Sequence, residues 1–168
     1  MTADIAVEIR TLEPTTTIAV RLETTVDRLS EVFDTEMPRI GAVLSDVGGQ
    51  MAGAPFARYH HYGPDRVDVE VGAPIAFVTA GLQPISGKPD GIMGVSSLPG
   101  GLAAVTIHSG PYDTLSQTYD ALAAWIAAEG HTAGDGPWEI YVSDPGAVPD
   151  PADLETEIVW PITLGSGS

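Results

Sequence analysis

"DVEVGAPI" (68–75) and "ETEIVWPI" (155–162) end two stretches of one chain in nearly the same way, each with a Glu four residues before a Pro-Ile pair. Further matches flank them in the same order. "LEPTTTIAV" (12–20) resembles "LPGGLAAV" (98–105), "VDRLS" (26–30) resembles "YDTLS" (112–116), and "PFARY" (55–59) resembles "PWEIY" (137–141). The offsets are 85 from Ala19 to Ala104, 86 from Leu29 to Leu115, 82 from Tyr59 to Tyr141 and 87 from Glu70 to Glu157. Order and spacing hold through small insertions, which is the mark of an internal repeat.

Each copy reads as strands, a helix and a closing hairpin. Residues 4–12 and 17–23 alternate as two strands, with Pro14 placed in the turn between them. Leu29, Val32, Phe33, Met37, Ile40, Val43, Leu44 and Val47 follow at helical spacing, ending at Gly48-Gly49, and Pro38 is expected to kink this helix or restart it. "PFARYHHY" and "RVDVEVGAPI" form a hairpin. In the second copy strands fall near 91–98 and 102–108, and a helix from Pro111 to Glu129 carries the stripe Leu115, Tyr119, Leu122 and Ile126. A hairpin of 137–143 and 153–160 closes it, with "SDPGAVPDPAD" as a long loop. The expected fold is α+β: two strand–helix–strand–strand modules with antiparallel sheets, paired about a pseudo-twofold axis around a central ligand cleft. Module 1 covers about 4–76, a linker 77–90, and module 2 about 91–163.

Composition narrows the function. The 168 residues suit one domain, since a chain of this size buries roughly 70% of its unfolded surface without help from disulfides or metals. There is no Cys, which removes thiol catalysis and Cys-based metal sites. Seven Lys and Arg against 23 Asp and Glu give a formal charge of -16, so the basic footprint of a nucleic-acid binder is missing and small cations are favoured. "MTADIAVEIR" has no secretory pattern, and "ALAAWIAA" (121–128) falls short of the roughly 20 residues of a membrane span. A soluble, cytoplasmic protein with no membrane partner is expected. The closing "GSGS" (165–168) resembles an appended linker.

Alternation then assigns side chains to faces. Trp138, Ile140 and Val142 are read as packing on the helix. Tyr59, Glu70, Glu139, Tyr141 and Glu157 are read as facing away from it, toward the cleft. A strand Glu ordinarily faces solvent, and that reading applies to Glu70 and Glu157. Glu139 stands apart, because its counterpart in the first copy is Ala57. A desolvated carboxylate there would have its pKa pushed upward, and a cationic guest would reverse the effect; tyrosine faces add cation–π attraction. His60-His61 is not a metal pair, since strand neighbours point to opposite faces, and His108 is read as bonding within its turn. No G-x-S-x-G elbow, Walker loop or calcium loop is present, and neither a metal nor a cofactor is expected.

"LPGGLAAVTIHSGPYDTLSQTYDALAAWIAAEGH", "GPWEIYVSDPGAVPDPADLETEIVWPI", "GAPFARYHH" and "DVEVGAPI" resemble the GyrI-like small-molecule-binding family, also described as the effector-binding domain of bacterial transcription activators. The resemblance runs over about 5–163 and implies a single domain over 1–164 with a cleft for amphipathic, often cationic aromatic compounds. It places the acidic pocket residue at Glu139 and implies aromatic lining by Tyr59, Tyr112, Trp125 and Tyr141. Phe56, Trp138 and Trp160 join that set although alternation turns them toward the helices, and Glu157 completes it. With the first strand inside the first ten residues, the expectation is a stand-alone binder without the family's DNA-binding segment. An alternative implied by stand-alone relatives is hydrolysis of electrophilic, cyclopropane-containing toxins by Glu139 with Tyr141 or Tyr112. A third is action through a protein partner.

Overall fold

A computed structural model describes residues 5–76, 81–143 and 148–165 of the chain. Parts of the expected linker (77–80), of the loop after the second tyrosine strand (144–147) and of the terminal segment (166–168) lie outside the described residues. The strands are β1 (Glu8–Leu12), β2 (Thr15–Thr24), β3 (Phe56–Tyr62), β4 (Val67–Pro74), β5 (Asp90–Leu98), β6 (Gly101–Ser109), β7 (Thr132–Ala133), β8 (Trp138–Tyr141) and β9 (Glu155–Thr163). Helix α1 spans Leu29–Asp46 and α2 spans Leu115–Ala128, each entered through a 3-10 turn, Val26–Arg28 and Tyr112–Thr114. The architecture is α+β with antiparallel ladders. Among the described residues no helix is long and apolar enough to cross a membrane.

The chain divides into two compact units, Pro14–Pro99 and the residues up to Glu13 together with those from Gly100 onward. In the first, the strand order is β3-β4-β2-β5; in the second it is β1-β6-β9-β8, with β7 also on β9. These units differ from segments cut in chain order. β1 does not fold back on β2 but pairs with β6, Glu8 opposite Val105 and Leu12 opposite Gly101. β5 pairs with β2, Thr15 opposite Leu98. The two residues joining β1 to β2 are Glu13 and Pro14. A two-residue hairpin needs positive φ in its turn, whereas proline is locked near -65° and holds its predecessor extended. The expected hairpin turn at Pro14 therefore does not form. Part of the segment before β5 instead straps its outer edge: Ile85 N–H donates to the Val95 carbonyl at 2.9 Å, and Val95 N–H to the Gln83 carbonyl at 2.9 Å.

Both helices follow from their apolar spacing. α1 buries Val32, Glu36, Ile40 and Leu44, one residue per turn, and Glu36 in that stripe holds Arg39 at 2.6 Å. Pro38 lies inside α1 on its exposed side, and the helix continues through it. In α2, Leu115, Leu122 and Ile126 form a core with Ala104, Ile158 and Ile162, and Tyr119, Trp125 and Trp160 pack against it. Each such Leu or Ile contributes about 1.5–3 kcal/mol by leaving water. Both helices stop alike: Gly48 (φ 68) and Gly130 (φ 77) adopt the left-handed turn, and the next N–H reaches back, Gly49 to Leu44 O at 2.9 Å and His131 to Ile126 O at 3.0 Å.

Candidate functional site

Glu139 lies near the middle of the short strand β8 and is 4% exposed. The strand register decides what it faces. Glu139 is opposite Ile158 and Tyr141 opposite Thr156, and directly opposed residues share a face. Since Ile158 packs with Leu122 and Ile126 of α2, Glu139 and Tyr141 point toward the helix, while Trp138 and Ile140 take the other side with Val159 and Glu157. The same pairing puts Tyr59 with Val69 and Glu70 with Arg58, on opposite faces of their sheet. The expected common face of Tyr59, Glu70, Glu139, Tyr141 and Glu157 is thus corrected. Alternation failed because both faces of β8 and β9 are covered, with Ile158 at 0% exposure on the helix side and Trp138 at 3% on the other.

Two phenols meet at the Glu139 carboxylate. Tyr119 of α2 donates to Oε1 at 3.0 Å and Tyr141 donates to Oε2 at 2.7 Å. Burial disfavours the ion while hydroxyl donors favour it. Tyr112, 37% exposed in the turn before α2, sets its ring edge-on to Tyr141 with centroids 5.8 Å apart. An aromatic path therefore leads from the surface to the carboxylate. On the other side Tyr119 meets Trp160 edge-on at 5.9 Å, and the Trp160 indole N–H donates to the Gly134 carbonyl at 2.9 Å.

Of the residues expected at the site, the structure joins Glu139, Tyr141 and Tyr112 directly, and Trp160 through Tyr119. Trp125 packs on the α2 core and tilts toward His131 at 6.5 Å. Glu157, on the opposite face, lies 3.5 Å from Arg10. Trp138 is buried on that same face. Phe56 is fully buried across from Gly72 in the other unit, and Tyr59 there meets Tyr62 edge-on at 5.5 Å. Tyr119 is the residue that sequence reasoning missed. It was legible as the only member of its helical stripe with a hydroxyl, a group that seeks a partner when buried.

The Pro14–Pro99 unit buries three carboxylates, Glu36, Asp68 and Glu70, of which Glu70 is the least exposed. Glu70, 2% exposed rather than solvated, contacts His60 Nε2 through Oε1 at 2.8 Å and accepts from Ser96 Oγ at 2.6 Å. His60 reaches it from a bulge in β3, where the register slips between Tyr59 and His61. Burial works to raise the Glu70 pKa, but the His60 and Ser96 bonds and the charges of His60 and Arg58 outweigh it and hold the group below its ordinary value. Beside it, the bond from Arg21, at 2.8 Å to each oxygen, lowers Asp68. Desolvation lowers Arg58, with Glu70 opposing. His108 is buried and closes its turn as expected, contacting Thr118 Oγ1 at 2.6 Å and the Pro111 carbonyl at 3.0 Å. Among the described residues no cluster of three or more His, Asp or Glu could hold a metal ion. Two open depressions, about 240 Å³ between Ala6–Arg10 and Val105–Ile107 and about 350 Å³ around Glu23, Arg28, Asp65 and Arg66, lie away from both Glu70 and Glu139.

No curated protein matches the chain in sequence. Its fold is shared with solved structures of low identity. The EcmrR C-terminal domain superposes with a TM-score of 0.78 at 22% identity, over 95% of this chain and 98% of that one. A hydrolase from Listeria innocua gives 0.63 at 16% identity, over 94% and 91%. SAV2435 bound to tetraphenylphosphonium gives 0.56 at 13% identity, over 95% and 94%. The family model for the GyrI-like small molecule binding domain matches residues 5–163, and the chain belongs to that family.

Proposed function

We propose that the chain captures amphipathic cationic or aromatic molecules, with Glu139 as the carboxylate that receives them. The carrying observation is a buried carboxylate gripped by two phenols, one of which stacks edge-on against a partly exposed ring. A cation that reaches Glu139 finds an opposite charge in a site of low dielectric, where attraction is far stronger than in water, and the faces of Tyr112 and Tyr141 add about 0.5–2 kcal/mol each. Family membership and the tetraphenylphosphonium bound to SAV2435 support this reading. The test is calorimetric titration with tetraphenylphosphonium: wild type binds it, Glu139→Gln loses it, and equal binding by both removes Glu139 from the role.

A second reading follows from the same contacts, since a carboxylate and two phenols in hydrogen-bond reach are a base beside acids. Glu139 would take a proton from water as the water oxygen bonds to an electrophilic ring carbon and the strained C–C bond breaks. A phenol would protonate the released carbon, and Glu139 would return its proton to the phenolate. Turnover of a cyclopropane-bearing electrophile, lost in both Glu139→Gln and Tyr119→Phe, would favour hydrolysis over capture.

A further inference from the structure

Strand β9 carries a buried oxygen without a partner. Thr156 is fully buried, and its Oγ1 makes no hydrogen bond among the described residues. It stands in register between His108 of β6 and Tyr141 of β8, so the three side chains form one row beneath α2. Both neighbours have committed their polar atoms elsewhere: His108 to Thr118 and the Pro111 carbonyl, Tyr141 to Glu139. Glu139 is diagonal to Thr156 across the β8–β9 ladder, a separation on the order of 7 Å. Packing alone does not call for a hydroxyl here. Valine has the same shape and would avoid the cost of burying an unpaired donor.

Resting on the reading of Glu139 as the receiving carboxylate, we infer that Thr156 Oγ1 is a second polar contact of the same site. The preferred guest then carries two features: a cationic or electrophilic end for Glu139, and a hydroxyl, carbonyl or amine group on the order of 7 Å away for Thr156. A bare lipophilic cation engages the carboxylate and the rings but leaves Thr156 unanswered. The hydroxyl thus acts as a discriminator, because a polar group left unpaired on binding counts heavily against the wrong guest.

The experiment measures dissociation constants of two cations, tyramine and tetraphenylphosphonium, for wild type, Thr156→Val and Thr156→Ser. Tyramine has an ammonium and a hydroxyl at opposite ends; tetraphenylphosphonium has no hydrogen-bonding group. Thr156→Val is expected to weaken tyramine at least tenfold and to change tetraphenylphosphonium less than twofold, with Thr156→Ser close to wild type for both. Thr17 provides the control, since its Oγ1 is likewise buried and unpartnered but sits in the other unit; Thr17→Val is expected to leave both constants unchanged. Unaltered tyramine binding in Thr156→Val, equal losses for the two cations, or the same loss in Thr17→Val would overturn the inference while leaving Glu139 in place. A wild-type chain that binds neither cation overturns the Glu139 reading and this inference with it.

Discussion

Glu70 and Glu139 are both almost completely buried strand carboxylates, one in each unit, yet their surroundings differ in kind. Glu70 is answered by a histidine and a serine and faces Arg58 across the ladder. Glu139 is gripped by two tyrosines, one delivered by the helix and one by its own strand. The first is a charge network of the sort that holds a sheet face together. The second surrounds an acid with aromatic rings and hydroxyls, the setting on which the proposed role of Glu139 rests. Burial alone therefore does not mark a site; the chemistry of the neighbours does.

The strongest attempt to break this contrast is the matched pair Glu70→Gln and Glu139→Gln. Removing one member of a buried ionic cluster costs roughly 3–5 kcal/mol, so denaturant unfolding should show a large loss for Glu70→Gln and a clearly smaller one for Glu139→Gln. Cation binding should show the reverse order. Comparable stability losses would mean that Glu139 is as structural as Glu70. Next in size, Tyr119→Phe and Tyr141→Phe each withdraw a phenol from one oxygen of the buried Glu139 carboxyl, a cost of about 1–3 kcal/mol. Calorimetry should register this as reduced stability of the free protein and altered cation affinity, and no change in either quantity would show the phenols to be bystanders.

Acid sharpens the comparison further. The folded Glu70 carboxyl lies below its ordinary value, so its stabilisation is fully present above the unfolded pKa of about 4.3 and drains away as pH falls through the folded value. The stability gap between wild type and Glu70→Gln should hold near neutrality and narrow below about pH 4; a gap that widens in acid contradicts the assignment. The smallest effects are expected where the units agree. Gly48→Ala and Gly130→Ala each force a side chain into a left-handed turn at a cost of about 1–2 kcal/mol, and similar decreases in melting temperature are expected for both.

Much of this was legible in the chain. The element order, the stripe Leu115–Tyr119–Leu122–Ile126 and the glycine stops follow from local rules, because helix period and turn chemistry are written within a few residues. The faces of β8 were not, since with both sides covered the alternation of Trp138, Glu139, Ile140 and Tyr141 carries no sign. Glu70 was read as solvated because its compensation comes from His60 in a bulge and Ser96 on β5, partners 10 and 26 residues away. The pairing of β1 with β6 was hidden for a related reason. Pro14 forbids the hairpin but does not name the substitute partner.

That displaced first strand sets a timetable for synthesis. Once β5 is made, β2 can pair with β4 and β5, and β3 with β4, whereas β1 must wait for β6, whose Val105 comes to lie across from Glu8. β1 is thus committed only after a long intervening loop has closed, an entropic toll that grows just logarithmically with length. During that interval its open backbone is a place where a chaperone or a neighbouring nascent chain has most to grasp.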